Sequence, residues 1–283
     1  MTAAPDPLFD RPVFIVSTPR SGSTLLFETL ARAPGVYTIG GESHGLIEKI
    51  PQLDLRARGY ASNRMLAADA VPEVVRELRG RFLGRMRDRD GNPLPPGHGR
   101  FRMLEKTPKN SLRIPFLLEA FPEARFVFLY RDPRQVLASM IEAWLSGRFK
   151  TYAGLPGWPM PYWSLLLTPG WQALAGKPLA GIVAGQWQAA TEVLLDDLAQ
   201  LPPGRCETIR YGDFVADPGV QIGRLCAALG LAWDRPLDGP LPFARHTVTK
   251  PDPDKWRRRS VEIEAVLPGL RATIERAERA VGA

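Results

Sequence analysis

The sequence predicts an α/β fold in three layers, with a central and mostly parallel sheet flanked by helices. Three observations predict it. Apolar, β-branched runs at 12–17 and 125–130 have the length and composition of buried strands. Each run ends in a polar turn, TPRSGST after the first and RDPR after the second, and the chain then takes up helical spacing. Strands that alternate with helices call for right-handed crossovers, which give parallel pairing.

The chain of 283 residues is 45% hydrophobic and 24% charged, as folded globular proteins are, which excludes a disordered or fibrous chain. One domain over 1–283 is expected. Lys and Arg number 37 against 30 Asp and Glu, a net charge of +7, so an anionic ligand is expected. Cys206 and Cys226 are too few for a disulfide framework and fit no metal site; they read as buried thiols in a reducing compartment. The first residues lack a basic stretch leading into an apolar one, so no signal peptide is expected. No run of about 18 apolar residues occurs, so no membrane span is expected and the cytoplasm is the default location.

Taken in order, the first strand (12–17) leads to a helix over 23–33. Leu25, Leu26, Thr29 and Leu30 give that helix its spacing, and Pro34-Gly35 stops it. A second helix begins near Glu42. A charged helix covers 63–87 and ends in a loop rich in Gly and Pro at 90–99. Residues 101–105 form a strand followed by Lys106, and Asn110 or Ser111 caps a helix running through Ala120. The clearest strand is 125–130, and Asp132 caps the helix that starts at Pro133. Residues 144–180 hold Trp144, Trp158, Trp163 and Trp171 among many Pro and Gly, and read as an aromatic insertion or lid. A helix over 182–200, a strand over 206–210, a turn over 211–217 and helices over 218–229 and 262–281 complete the chain.

The loop Thr18-Pro-Arg-Ser-Gly-Ser-Thr24 carries the chemistry. Between a strand and a helix, successive backbone N–H groups and the helix N-terminus make an anion nest. Gly22 admits an oxyanion close to the backbone, Ser21, Ser23 and Thr24 add hydroxyls, and Arg20 adds a fork suited to phosphate or sulfate. The nucleotide-binding pattern GxxxxGK[ST] is incomplete here: its first Gly is absent and Ser23 stands where its Lys belongs.

PRSGST after an apolar strand resembles the 5'-phosphosulfate loop of sulfotransferases that use 3'-phosphoadenosine-5'-phosphosulfate (PAPS). Phe126-Val-Phe-Leu-Tyr-Arg-Asp-Pro-Arg134 with Ser139 resembles that family's 3'-phosphate site, which implies that Arg131 and Ser139 share one anion. Ile209-Arg-Tyr-Gly-Asp-Phe-Val-Ala-Asp217 is similar to its RYEDL segment and implies that Tyr211 lies against adenine and ribose; Gly212 departs from the usual Glu. Asp254-Lys-Trp-Arg-Arg258 resembles the basic tail over the nucleotide, which brings in Lys255, Trp256 and Arg257. The resemblance spans 12 to about 259. It implies a P-loop-like fold, PAPS as co-substrate, 3'-phosphoadenosine 5'-phosphate (PAP) as product, and no metal.

Sulfuryl transfer needs an in-line approach, stabilised oxygens and a base for the acceptor proton. The resemblance makes Glu42, in Gly40-Gly-Glu-Ser-His44, the first choice for base. His44 and then His246 are the alternatives, and His98 reads as exposed in its Gly/Pro loop. Lys106 is expected at the leaving oxygen, with Thr247 or Thr249 adding a hydroxyl. The acceptor is expected to be a hydroxyl on a small hydrophobic molecule, lipid or secondary metabolite, or on a carrier-bound chain. The Trp-rich stretch either lines an apolar pocket or is core. Two other readings stand beside this one. A P-loop kinase lacks its Lys and a clear magnesium-binding acid. A nucleic-acid or other phosphate binder is disfavoured because the basic residues are scattered. The sequence leaves the oligomeric state open.

Overall fold

The computed structural model describes residues 7–237, 241–245, 248–250 and 252–282. Its main sheet has five strands in the order β2-β3-β1-β4-β7: β1 Val13–Val16, β2 Val36–Tyr37, β3 Arg102–Lys106, β4 Arg125–Tyr130 and β7 Cys206–Arg210. Every pairing in it is parallel, for example Val13 beside Leu104 on one side and Arg125 on the other. Alternation along each strand builds the three layers. Val13, Ile15, Val127 and Leu129 face α1 (Ser23–Leu30) and α8 (Pro218–Leu229). Phe14, Val16, Phe126 and Phe128 face α3 (Pro72–Leu83) and α4 (Ile114–Ala120). The expected fold class is the observed one.

Several boundaries move for local reasons. The helix expected over 63–87 begins only at Pro72, because Val71 before it is extended (ψ 154°) as a residue preceding proline prefers. The helix expected near Glu42 is one turn, α2 (His44–Ile47), so Glu42 lies just ahead of it. Neither Asn110 nor Ser111 caps a helix. They lie in a 3-10 segment, Pro108–Leu112, where Asn110 Nδ2 donates to Glu105 and the Ser111 hydroxyl to the Pro108 carbonyl. Lys106 is the last residue of β3, not part of a loop. Residues 211–217 are not a turn but a short helix, α7 (Tyr211–Ala216). The two-residue strand β2 was not anticipated. Asp132 caps α5 (Pro133–Ser146) as expected, its carboxylate accepting from the Arg134 and Gln135 amides.

Residues 144–180 turn their aromatic rings inward. Trp144, Trp163 and Trp171 are buried, and Trp158 and Trp163 meet edge to face with ring centroids 4.7 Å apart. They join α5 and α6 (Leu179–Ala199) in one apolar cluster, so these rings are core. A hairpin, β5 (Lys150–Ala153) and β6 (Tyr162–Ser164), projects from this stretch. Tyr152 ties the hairpin to the body: its hydroxyl oxygen accepts from Lys109 Nζ and Asn63 Nδ2, each at 2.6 Å. Glu48 completes that network by accepting from Lys109 at 2.8 Å and Arg113 at 2.5 Å. The last helix, α9 (Ser260–Gly282), packs on α6. Among the described residues, no helix is long and apolar enough to cross a membrane.

Candidate active site

The C-terminal ends of β1, β3, β4 and β7 converge on one edge of the sheet, where open α/β sheets hold their ligands. From β1 comes the loop Thr18–Thr24. Arg20 and Gly22 both take left-handed backbone angles, φ 68° and 95°, and Gly22 starts α1 without a side-chain cap. The Leu25 amide donates to the Gly22 carbonyl at 3.0 Å, so the first-turn amides without a helical carbonyl are those of Ser23 and Thr24. Thr18 and Ser21 hold the loop together by a 2.9 Å hydroxyl contact. A Cβ at residue 22 would run into the Tyr211 ring, so glycine is required there by close approach as well as by φ.

Arg131, at the end of β4, lies over the Tyr211 ring at 4.4 Å and donates to the Arg20 carbonyl at 3.3 Å. Gln135 accepts from its Nε and Nη2 at 3.0 and 2.9 Å. Arg20 in turn donates to Ser139 Oγ at 3.2 Å and stacks on Phe149 at 5.0 Å. Arg20, Gly22, Arg131, Ser139 and Tyr211, remote in sequence, thus form one cradle. Burial, and after it the like charge of Arg131, push the Arg20 guanidinium below its usual range. Burial does the same to Arg131. Two partly desolvated guanidiniums side by side are an unfavourable arrangement that an anion would relieve.

Lys106 defines the second part of the site. Its buried ammonium donates to Glu42 Oε1 at 2.6 Å and to Thr24 Oγ1 at 3.0 Å. His44 Nδ1 lies 3.5 Å from Glu42 Oε2. Burial pushes the Glu42 carboxyl upward, but the His44 hydrogen bond and the Lys106 charge outweigh it and hold the group at about 2. The alternative setting for Glu42, in the first turn of a helix, does not occur. Beyond Glu42 opens a cavity of about 760 Å³ whose walls include Gly41, Gly45 and Gly80 and whose cations are Lys49, Arg81 and Arg85.

The other expected residues fall elsewhere. Lys255 pairs with Glu142 of α5 at 2.7 Å, and Trp256 is buried between Arg134 and Arg257 with cation–ring distances of 5.0 and 5.2 Å. Arg257 is paired with Asp254 at 2.8 Å. The tail segment is therefore docked on α5, the helix that carries Ser139. Thr249 lies against Glu142, not Lys106. His98 is half-buried rather than exposed, and it meets Tyr37 at 3.2 Å. His246 and Thr247 lie outside the described residues. Both cysteines are free; burial pushes Cys206 up to about 12 and Cys226 up to about 11. Among the described residues, no three His, Cys, Asp or Glu side chains gather as a metal-ligating group. Sequence reasoning missed Gln135, Phe149 and Thr107. Gln135 was within reach, one helical turn beyond Arg131.

Fold and site together define an α/β protein with a cationic cradle at the C-terminal edge of its sheet. The model of the Sulfotransferase family matches residues 12–235, and the chain belongs to that family. Protein-tyrosine sulfotransferase A of Caenorhabditis elegans is 24% identical over 226 residues, 78% of this chain and 50% of that protein. The ω-hydroxy-β-dihydromenaquinone-9 sulfotransferase Stf3 of Mycobacterium tuberculosis is 30% identical over 129 residues, 46% of this chain and 29% of that one. The chain spans about half the length, or less, of these curated relatives. Among solved structures, the sulfotransferase from Alicyclobacillus acidocaldarius is 16% identical with a TM-score of 0.49, covering 96% of each chain.

Proposed function

We propose that the protein transfers a sulfuryl group from PAPS to an acceptor hydroxyl, within one domain spanning 1–283. The observation that carries this reading is the pairing of Arg20 with Arg131 over Gly22 and Tyr211, next to the Lys106–Glu42 pair. The first group suits a bisphosphorylated nucleotide, and the second suits acid–base chemistry beside it. Arg20, Ser21, Gly22, Ser23 and Thr24 take the 5'-phosphosulfate, and Arg131 with Ser139 takes the 3'-phosphate. Tyr211 flanks the nucleotide. Lys255, Trp256 and Arg257 support this end of the site by anchoring the tail on α5.

Chemically, the acceptor oxygen bonds to sulfur in line with the bridging S–O bond, which breaks and leaves its electron pair on the phosphate. Lys106 steadies the charge on that oxygen, and Glu42 takes the acceptor proton. The products are a sulfate ester and PAP. The acceptor enters through the cavity at Glu42. Its exposed cations, Lys49 and Arg85, favour a carrier-bound or otherwise anionic acceptor over a bare hydrophobic one, because an exposed cation gains from an anionic partner and nothing from an alkyl group. The two unpaired thiols suit the cytoplasm.

The decisive experiment compares thermal unfolding with PAP and with ATP–Mg²⁺ at matched concentration. A ligand of the folded state raises the midpoint by mass action, by about 2.7 kcal/mol of stability at a hundred times its Kd. The expected result is a shift with PAP and none with ATP–Mg²⁺. A shift with ATP–Mg²⁺ alone would overturn the reading in favour of a kinase.

A further inference from the structure

Glu42 is gripped twice. Its side chain is held by Lys106, and its chain neighbour Ser43 is held by a separate buried relay. The Ser43 amide donates to Thr107 Oγ1 at 2.7 Å, and the Ser43 hydroxyl lies 3.2 Å from the same oxygen. The Thr107 hydroxyl donates to Glu105 Oε1 at 2.5 Å. The other Glu105 oxygen accepts from Asn110 Nδ2 at 2.7 Å. Ser43, Thr107, Glu105 and Asn110 are all 0% exposed.

The direction of the relay follows from counting protons. A threonine hydroxyl has one proton and two lone pairs. The Ser43 amide can only donate, so it takes one lone pair of Thr107. The Thr107 proton is left for Glu105, whose carboxylate can only accept. Consecutive residues of a strand point to opposite faces, so Glu105 and Lys106 address different sides of β3. Lys106 reaches Glu42 and Glu105 reaches Ser43, and two neighbouring residues of one loop are clamped by two neighbouring residues of one strand. Burial pushes the Glu105 carboxyl above its usual range, so the fold bears a cost to keep it there.

We propose that Thr107 and Glu105 are positioning residues, which fix the backbone at 42–43 so that the Glu42 carboxylate meets the acceptor proton. The inference rests on Glu42 being the base, as proposed above. Without the relay, residue 43 is free to shift, and a misplacement of about 1 Å at a reacting group costs rate by as much as about 10²-fold.

The test uses the full chain with PAPS alone, water standing in for the acceptor. The water oxygen bonds to sulfur, the bridging S–O bond breaks toward phosphate, and the proton passes to Glu42, giving PAP and sulfate. Thr107→Val keeps the shape and removes the hydroxyl. It should lower the hydrolysis rate about 10- to 100-fold, with KM for PAPS and affinity for PAP unchanged. Thr107→Ser should restore the rate to within about twofold. A rate unaffected by Thr107→Val would overturn the proposal, and so would a Thr107→Ser loss equal to that of valine. Parallel loss of PAP affinity in Thr107→Val would also overturn it, since the effect would then be structural. A wild-type chain that does not bind PAP would overturn the donor reading itself, and this inference with it.

Discussion

Lys106 Nζ donates a 2.6 Å hydrogen bond to Glu42 Oε1, so the cation and the carboxylate of the site neutralise each other. The pair is mostly shielded from water, with side-chain exposures of 3% and 24%. Replacing Glu42 by Gln removes the proton acceptor and leaves the Arg20–Arg131 cradle as it is. Turnover should fall by about 10²–10⁴-fold, the usual worth of a general base. PAP affinity should be retained. Turnover equal to wild type would move the role to His44 or His246.

The same pair makes stability depend on acid. The Glu42 carboxyl is held at about 2 in the folded chain against an ordinary 4.5. Its folded value is the lower one, so its contribution is fully present above 4.5 and is lost as pH falls toward 2. Denaturant midpoints across this window should decline less steeply in Glu42→Gln than in wild type. Parallel curves would show that the Lys106 contact contributes nothing to folding.

Arg131 touches Gln135, the Arg20 carbonyl and the Tyr211 ring, and among the described residues it holds no part of the fold by an ion pair. Arg131→Ala should therefore leave the unfolding midpoint close to wild type and weaken PAP binding. A charged hydrogen bond is worth about 1.5–3 kcal/mol, so titration calorimetry should read a loss of about 10- to 100-fold. Undiminished PAP affinity would remove Arg131 from the site.

Gly22→Ala tests the approach of the Tyr211 ring to the loop. The new methyl group meets the ring at a φ of 95°, and strained backbone of this kind costs on the order of 1–3 kcal/mol. Thermal unfolding should show the loss, and PAP binding should fall with it. Tyr211→Ala in the same background should recover only the part of the stability lost to the clash with the ring, not the part lost to φ, and should not recover affinity. Stability that stays low in the double variant would place the strain in φ alone.

Trp163 is fully buried among three other indoles. Trp163→Ala should cost about 3–5 kcal/mol by opening a cavity. Affinity for PAP measured well below the lowered midpoint should be unchanged. A specific loss of donor affinity at full folding would instead make the Trp-rich stretch part of the donor site.

Much of this arrangement was legible in the residues. TPRSGST and LYRDP each couple a strand to a turn by local chemistry, a positive-φ glycine in one and an aspartate cap in the other, so their elements and their edge of the sheet could be read from spacing. The Glu105–Thr107–Ser43 relay could not be read. It depends on β3 lying beside β2, the strand that Ser43 follows, a neighbour relation set by crossovers and not by any local preference. The Trp-rich stretch was ambiguous for a related reason: indoles serve equally well to line a pocket or to fill a core, and only α5 and α6 closing around them decides. The tail segment was placed by its charges, yet Lys255 and Arg257 each have an acidic partner from the protein itself.

The roof that Tyr211 makes over Gly22 sets an order of events during synthesis. The loop at 18–24 leaves the ribosome early, but its cover is the first residue after β7, which pairs with β4. A nascent chain halted before Cys206 carries the amide cradle and Arg131 with nothing closing above them. Chains are made from the N-terminus at about 5–20 residues per second, so the loop waits on the order of ten seconds for its partner. Tyr211 therefore reaches the loop late, only once the last strand docks against β4.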